Sequence, residues 1–581
     1  FYERKVYMTS LLHFRFHSLA ALACTAAAVL AGCASAPSAH RGKPSSEPLQ
    51  RIQVEQPPPS ADVLTNAMSG EFALQDSDLK SAARAYVQAA RTSNDPAMAA
   101  QATRVAIAAA EWDEAREALA RWQVLAPQDP GIHQFRVLFA LHDDKPEDAY
   151  QDLLYLARQP DGWKLIAQTL AGTPNKAQTG TLLERLATPE LLDDKSETWV
   201  LVSQLALKLD HKRLAQSLAD RAVAKFGGAD TYAWAAQLRY QTGDPEGARA
   251  LFADAIKRDP RNKQLRIAYA SLLGELGDNA GAAHVLAQGP QDEYSYTARA
   301  AYAARAGDKA LIEPLYKEIK ALPEPRSGAR LNLLGELAEL LERNAEALNW
   351  YSQVPEDDEH RFEAQMRSAL LLDTAGKTQE ALGLVHNLQA RAGDDEKELG
   401  DAFLLEAEML NKHQKGEEAV KVYDRGLKAL PDDTRLLYAR ALLNDDLDHV
   451  DAAVDDLRHL LELKPNDADA LNALGYTLAD RTEKKDEALS LIQKALVLKP
   501  GEPAIIDSLG WAQYRLGHLD EAIKELRLAY EKQPDAEIAA HLGEVLWVAG
   551  QKDEARKIWE QGRNKDAKNK VLLETIQRLS S

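Results

Sequence analysis

The hydrophobic pattern is plainest between Leu509 and Pro534, LGWAQYRLGHLDEAIKELRLAYEKQP, where apolar and small residues fall at helical spacing on either side of Gly517. That spacing predicts two antiparallel helices, A and B, joined at the glycine. Each small residue has a steric task. Gly510 lets helix A approach helix B, which presents Ala522 at the crossing, and Ala529 leaves room for the first helix of a following unit. Gly517 permits the turn and Pro534 stops helix B. Period-two runs of β-branched residues are scarce throughout, so no sheet is predicted.

Those residue types at those offsets resemble the tetratricopeptide repeat, a helix pair of about 34 residues. Equivalents of Ala522 recur at Ala83, Ala115, Ala149, Ala215, Ala248, Ala282, Ala347, Ala381, Ala419, Ala453, Ala488 and Ala555. Most steps are 32 to 35 residues; the gaps after Ala149 and Ala282, 66 and 65 residues, each hold one hidden unit. Closing prolines (Pro127, Pro260, Pro431, Pro465, Pro500) and turn glycines (Gly243, Gly277, Gly376, Gly550) keep the register. The expected fold is all-α: a right-handed α-solenoid of antiparallel helix pairs, about fifteen units including degenerate ones.

The copies differ in quality. Residues 61–328 read as a partly degenerate array and 329–581 as a well-formed one ending in a capping helix, with Leu572, Leu573, Ile576 and Leu579 as the covering stripe. Around Gly180 and Ile312 the units are recognisable by spacing alone. Pro189, Pro290, Pro314, Pro323 and Pro325 cluster there, which predicts distorted pairs and joints near 160–195 and 290–328. At the other end Val63, Leu64, Ala67 and Met68 begin a first helix.

Composition sharpens this picture. A hydrophobic content of 45% with 6% aromatic residues is an Ala- and Leu-rich helical balance. The formal charge of −19 disfavours nucleic-acid phosphates as partners. Such acid keeps a long exposed solenoid soluble; the alternative is an acidic surface that selects basic partners.

The N-terminus reads as an address. Met8 is the expected start, with Phe1–Tyr7 upstream; Arg15 and an apolar run from Leu19 to Ala31 follow, too short for a membrane span but suited to a signal peptide over 1–32. Leu30-Ala31-Gly32-Cys33 matches the bacterial lipobox. That resemblance implies cleavage before Cys33 and its lipidation, and Ala34-Ser35 after it imply sorting to the outer membrane, on the periplasmic face. Residues 33–60, rich in Pro, Ser and Ala, form the expected lipid anchor and tether. The two cysteines are Cys24, in the removed segment, and Cys33, so no disulfide or thiolate chemistry remains.

No catalytic constellation is present in the sequence: no paired-histidine metalloprotease helix, no G-x-S-x-G elbow, no phosphate loop. Gly42-Lys43-Pro44-Ser45 lacks the upstream glycine, and His541, before Leu542-Gly543, reads as packed or superficial rather than as a ligand. Neither an enzyme nor a cofactor or metal is expected. A stack of helix pairs offers instead a concave face lined by the A helices. Residues three before, one after and four after the small residue of helix A should face it: Tyr438; Asn472 and Tyr476; Asp507, Trp511 and Tyr514; Glu544 and Trp547. Aromatics beside acids over four consecutive units suit an extended peptide or a partner's helix. The alternative is that these rings pack against neighbouring A helices; Trp199 reads as core. Around Asn472 the basic residues of a carboxylate-clamp groove are missing, which disfavours an acidic C-terminal tail as ligand.

The run from Ala470-Leu471-Asn472-Ala473-Leu474-Gly475-Tyr476 to His541-Leu542-Gly543-Glu544-Val545-Leu546-Trp547 resembles the large tetratricopeptide outer-membrane lipoproteins of proteobacteria. Among them is an adaptor that binds a periplasmic carboxyl-terminal-processing serine protease and presents cell-wall hydrolases to it. The resemblance implies an outer-membrane scaffold with these partners. Alternatives are a scaffold for exopolysaccharide secretion or outer-membrane assembly and, from another class, a peptidoglycan-modifying enzyme.

Overall fold

The computed structural model describes residues 62–393 and 395–580. The signal peptide, Cys33 and the tether lie outside them. Among the described residues the chain is all helix, 31 helices and no strand, and none is long and apolar enough to cross a membrane. The helices form fifteen consecutive antiparallel pairs. The thirteen marker alanines, Ala83 to Ala555, each lie on the second helix of a pair, and every one is fully buried.

Packing divides the described chain at Gln291/Asp292, whereas the boundary at 328/329 follows repeat quality; each unit is described by itself. The first holds seven pairs, from α1 (Val63–Gln75) and α2 (Leu79–Thr92) to α13 (Lys263–Glu275) and α14 (Asn279–Ala287). Several of its helices start where an Asp side chain caps the first turn and Pro follows it, as at Asp95-Pro96, Asp129-Pro130 and Asp244-Pro245. The carboxylate accepts from orphan N–H groups while proline gives up one never needed. The distorted unit is there: α7 (Gly162–Leu170) and α8 (Lys176–Leu186) are short. The coil after them is tied down by Trp163 and Trp199, whose indole N–H groups donate to the Leu191 and Asp193 carbonyls at 3.0 Å each. Trp199 is core, 2% exposed.

The second unit begins with α15 (Glu293–Ala306) and α16 (Lys309–Lys320), the latter carrying Pro314 inside it. Six more pairs follow: α17 (Gly328–Leu340) with α18 (Asn344–Ser352), α19 (Arg361–Thr374) with α20 (Thr378–Arg391), α21 (Glu396–Lys412) with α22 (Gly416–Ala429), α23 (Thr434–Asp446) with α24 (Val450–Leu463), α25 (Ala468–Arg481) with α26 (Lys485–Leu498), and α27 (Pro503–Arg515) with α28 (Leu519–Lys532). The last pair is α29 (Ala536–Val548) and α30 (Lys552–Lys565), and α31 (Lys570–Ser580) closes the stack. On α31, Leu572 is fully buried, with Ile576 and Leu579 packed beside it; Leu573 is turned outward, 41% exposed, so the covering stripe is narrower than the sequence implied.

The close approach of A to B is visible at Gly510, where a Cβ would lie 2.6 Å from Leu526 Cγ, and at Gly543, where it would meet the Trp559 indole at 2.0 Å. Gly517 does a different job: it sits at φ +88° in the A–B turn with open space around it. Ala529, fully buried, clusters with Ile538 of the next pair, as a residue leaving room for the following helix should.

Candidate partner-binding groove

The A helices α25, α27 and α29 set the site. Asp467 and Asp535 cap the first turns of α25 and α29, and Pro503 opens α27, so the three helices start in matching register. Gly475, Gly510 and Gly543 press each against its own B helix. The opposite flank therefore faces the A helices of neighbouring repeats. Tyr476 on α25 reaches His541 on α29, two repeats away, with Oη 3.4 Å from Nε2. A bond that skips the intervening helix requires this flank to curve inward.

Five of the eight residues expected to face the groove come together here. Asp507 holds His541, its Oδ2 2.8 Å from the ring Nδ1. The His541 ring lies 4.4 Å from the Trp511 ring at 30°, and Trp511 stands 5.2 Å from Tyr514. Trp511 Nε1 donates to Asp480 Oδ1 at 3.0 Å, an oxygen that also takes Arg515 Nη1 at 2.9 Å. Tyr514 Oη donates to Glu544 Oε1 at 3.2 Å, and Arg578 of α31 pairs with the other oxygen. The fifth is Tyr476, bonded to His541.

The other three stand apart. Tyr438 is buried in the core cluster of α21–α27. Asn472 is buried on α25 with no hydrogen-bond partner for its Oδ1. Trp547 stacks on Trp559 of its own pair, ring centroids 5.4 Å apart, with Lys552 and Arg556 over its face. The rings thus pack between helices more than they stand free: Trp511 is 6% exposed, and Asp507 and Glu544 are buried beside it, while Tyr476, Tyr514 and Trp547 are half-buried.

Sequence reasoning left out Asp480, Arg515 and Arg578, and read His541 as packed or superficial without placing it in the groove; it is packed, 3% exposed. A signal for them existed: Asp507 and His541, Asp480 and Arg515, Glu544 and Arg578 are each separated by one repeat period, 34 or 35 residues. Acids and their partners are shared between consecutive repeats.

Electrostatics follow from this packing. Burial draws the His541 imidazole down, but the charge and hydrogen bond of Asp507, with Glu537 and Asp480 nearby, outweigh it and raise its pKa to about 9. Burial drives the Tyr476 phenol well above its usual value, and the charges of Asp480, Glu537 and Asp507 add to this. For Tyr514 burial again leads, followed by Glu544. The site is therefore a set of neutral phenols and one imidazolium among carboxylates. Among the described residues no group of three His, Cys, Asp or Glu is placed to hold a metal ion.

Family models described as tetratricopeptide repeat match residues 203–262, 239–307, 438–503 and 508–567. The matched residues are tetratricopeptide repeats. The two C-terminal matches contain the groove helices α25 and α29 and all of α27 except residues 504–507. The repeat protein is 42% identical over 211 residues to the TPR repeat-containing protein PA4667 of Pseudomonas aeruginosa, a match covering 36% of this chain and 35% of that one. It is 26% identical over 168 residues to the human protein O-mannosyl-transferase TMTC1, covering 28% and 19%. The chain therefore spans about a third or less of the length of these curated relatives. Among solved structures, the Cut9–Hcn1 hetero-tetramer of the APC/C aligns over 89% of this chain and 96% of that one at 14% identity and a TM-score of 0.32. MamA aligns over 28% and 95% at 21% identity and a TM-score of 0.24.

Proposed function

We propose that this repeat protein is a lipid-anchored scaffold of the outer membrane that binds a periplasmic carboxyl-terminal-processing protease together with its cell-wall hydrolase substrates. The observation that carries the scaffold reading is the inward-curving A-helix flank of α25–α29, where aromatic rings and acids lie side by side on repeats whose fold is typically a non-catalytic platform for protein partners. The address rests on Leu30-Ala31-Gly32-Cys33, and the choice of partner on the resemblance of residues 470–547 to the adaptor lipoproteins. In this reading the anchor supplies location and the repeats supply area. The partner supplies the chemistry, and co-binding raises its effective concentration toward its substrates.

Pull-down from periplasmic extract with the full chain as bait is the test. Recovery of a serine protease of the carboxyl-terminal-processing type is the expected outcome. Recovery of envelope-assembly or polysaccharide-export proteins alone would overturn the partner assignment. A Cys33→Ser chain should lose its lipid and leave the membrane fraction.

A further inference from the structure

In the unit from Asp292 onward, the register that carries rings at the C-terminal end carries carboxylates further up. The small residues of α17, α19, α21 and α23 are Gly335, Ala369, Ala407 and Ala441. One residue after them stand Glu336 and Glu408; four after stand Glu339, Asp373 and Asp445. Asp373 is fully answered, by Lys412 at 2.8 Å, His413 at 2.6 Å and Thr378 at 2.8 Å. The others are short of positive charge. Arg367 serves Glu336 and Glu339 together, at 4.0 and 3.6 Å. Burial pushes Glu336 up to about 7 against the pull of Arg367, with Glu363 and Glu339 adding to the rise. Burial alone pushes Glu408 up to about 7. Asp445 is raised by burial first, in spite of Arg481 and a hydrogen bond from Thr477.

A second observation points the same way. Four side-chain oxygens of this unit are buried without a hydrogen-bond partner: Asn332 Oδ1, Asp445 Oδ1, Asn472 Oδ1 and Asp507 Oδ1. Asn332, Asn472 and Asp507 are 4%, 5% and 7% exposed, and each lies three residues before the small residue of its helix. These four atoms are acceptors on the A helices, while the unit's two unpartnered donors, Nε of Arg326 and Arg330, belong to guanidinium groups turned toward the Lys320, Leu322 and Pro323 carbonyls; the deficit along this flank is therefore of donors as well as of positive charge. Ammonium and guanidinium groups supply both, carrying donors and no acceptor, and an extended backbone adds its N–H groups.

We infer that the A-helix flank from α17 to α25 is a docking channel for an extended segment of a protein partner that bears lysine or arginine. The inference rests on the scaffold reading and gives its partner a charge. Packed helices stand about 8–10 Å apart, and a segment extended as polyproline II advances about 3.1 Å per residue with every third side chain on one face, so a basic residue at roughly every third position meets one repeat each. Such a segment brings to Glu408 the counter-charge that the fold leaves out, and to Asp445 a second one beside Arg481.

The test is fluorescence anisotropy with the full chain in detergent at pH 8, using a labelled peptide of five Lys-Ser-Thr triplets and its Glu-Ser-Thr counterpart. Saturable binding of one lysine peptide per chain is expected, weakened about tenfold or more by E336Q/E408Q/D445N and by Glu408→Lys alone. Thermal melts of both variants establish that they are folded. The control E521Q/E531Q/E560Q, which neutralises exposed acids on α28 and α30, should bind as the native chain does. Equal loss in this control would reduce the effect to net charge and overturn the channel. So would preference for the glutamate peptide, or calcium binding that depends on the same three acids while the lysine peptide does not bind. The pull-down separates this inference from the reading beneath it. If the protease is recovered equally by native chain and E336Q/E408Q/D445N while the lysine peptide fails, the channel falls and the scaffold stands; if the peptide binds and no protease is recovered, the partner assignment falls and the channel stands.

Discussion

A buried imidazole held charged by Asp507 ties the stability of the C-terminal repeats to pH. His541 titrates near its ordinary value when unfolded and at about 9 in the fold, so the charged pair stabilises in full below about pH 6.5, and that contribution disappears as pH rises through about 9. The shift corresponds to up to about 3 kcal/mol. Melting temperature should therefore fall between pH 6.5 and 9.5, and a His541→Gln chain should melt lower at pH 6.5 with that slope flattened. Glycines separate two further costs. In Gly510→Ala the new Cβ meets Leu526 at 2.6 Å, so helix A must back away from helix B and lose packing. Gly517→Ala has open space and only the left-handed backbone to accommodate, about 1–2 kcal/mol. Chemical denaturation of the two variants should show the larger loss for Gly510→Ala.

Among elements, α31 has the plainest task. Leu572 is fully buried against α29 and α30, touching the space beside Gly562, and Arg578 answers Glu544 from the same helix. Leu572→Ala should cost about 2–4 kcal/mol. Because repeats interact with their neighbours, hydrogen exchange should rise first in α29 and α30 and leave α17 to α23 protected. The helix pairs were legible in the sequence because their determinants are local: a small residue at each crossing, a glycine or cap at each end, a step of about 34. The same locality explains why α7, α8 and the proline-bearing α16 were foreseen as irregular. The groove was legible only as a register. Offsets from Gly510 and Gly543 put Trp511, Tyr514 and Glu544 on the A-helix flank, where they contact neighbouring repeats, but whether a ring stands free or packs depends on curvature between repeats, which no single repeat encodes. Asp480, Arg515 and Arg578 escaped notice because the partner of each lies one period away, in the neighbouring repeat.

On the scale of the whole molecule, each packed unit is a sum of nearest-neighbour interfaces. In the unit from Asp292 onward, one flank changes character along its length, with carboxylates over α17–α23, rings and a buried imidazolium over α25–α29, and unpartnered acceptors in both parts. A partner reading this flank end to end meets first a demand for positive charge and then a set of aromatic faces. The excess acid of the chain is thus divided into two kinds: solvated carboxylates on B helices such as Glu521 and Glu560, and desolvated ones such as Glu408.

The one-period spacing of Asp480 with Arg515, Asp507 with His541 and Glu544 with Arg578 has a mechanical consequence. Bonds that join only consecutive repeats are loaded in series when the unit is pulled from its two ends. Rupture of one interface releases the contour of one repeat and relaxes the tension on the others, so the chain lengthens in increments of one repeat, on the order of 120 Å of contour per 34 residues at about 3.6 Å each. A molecule fixed at one end and gripped at the other thereby behaves as a shock absorber, yielding in steps and recoiling as its helix pairs close again.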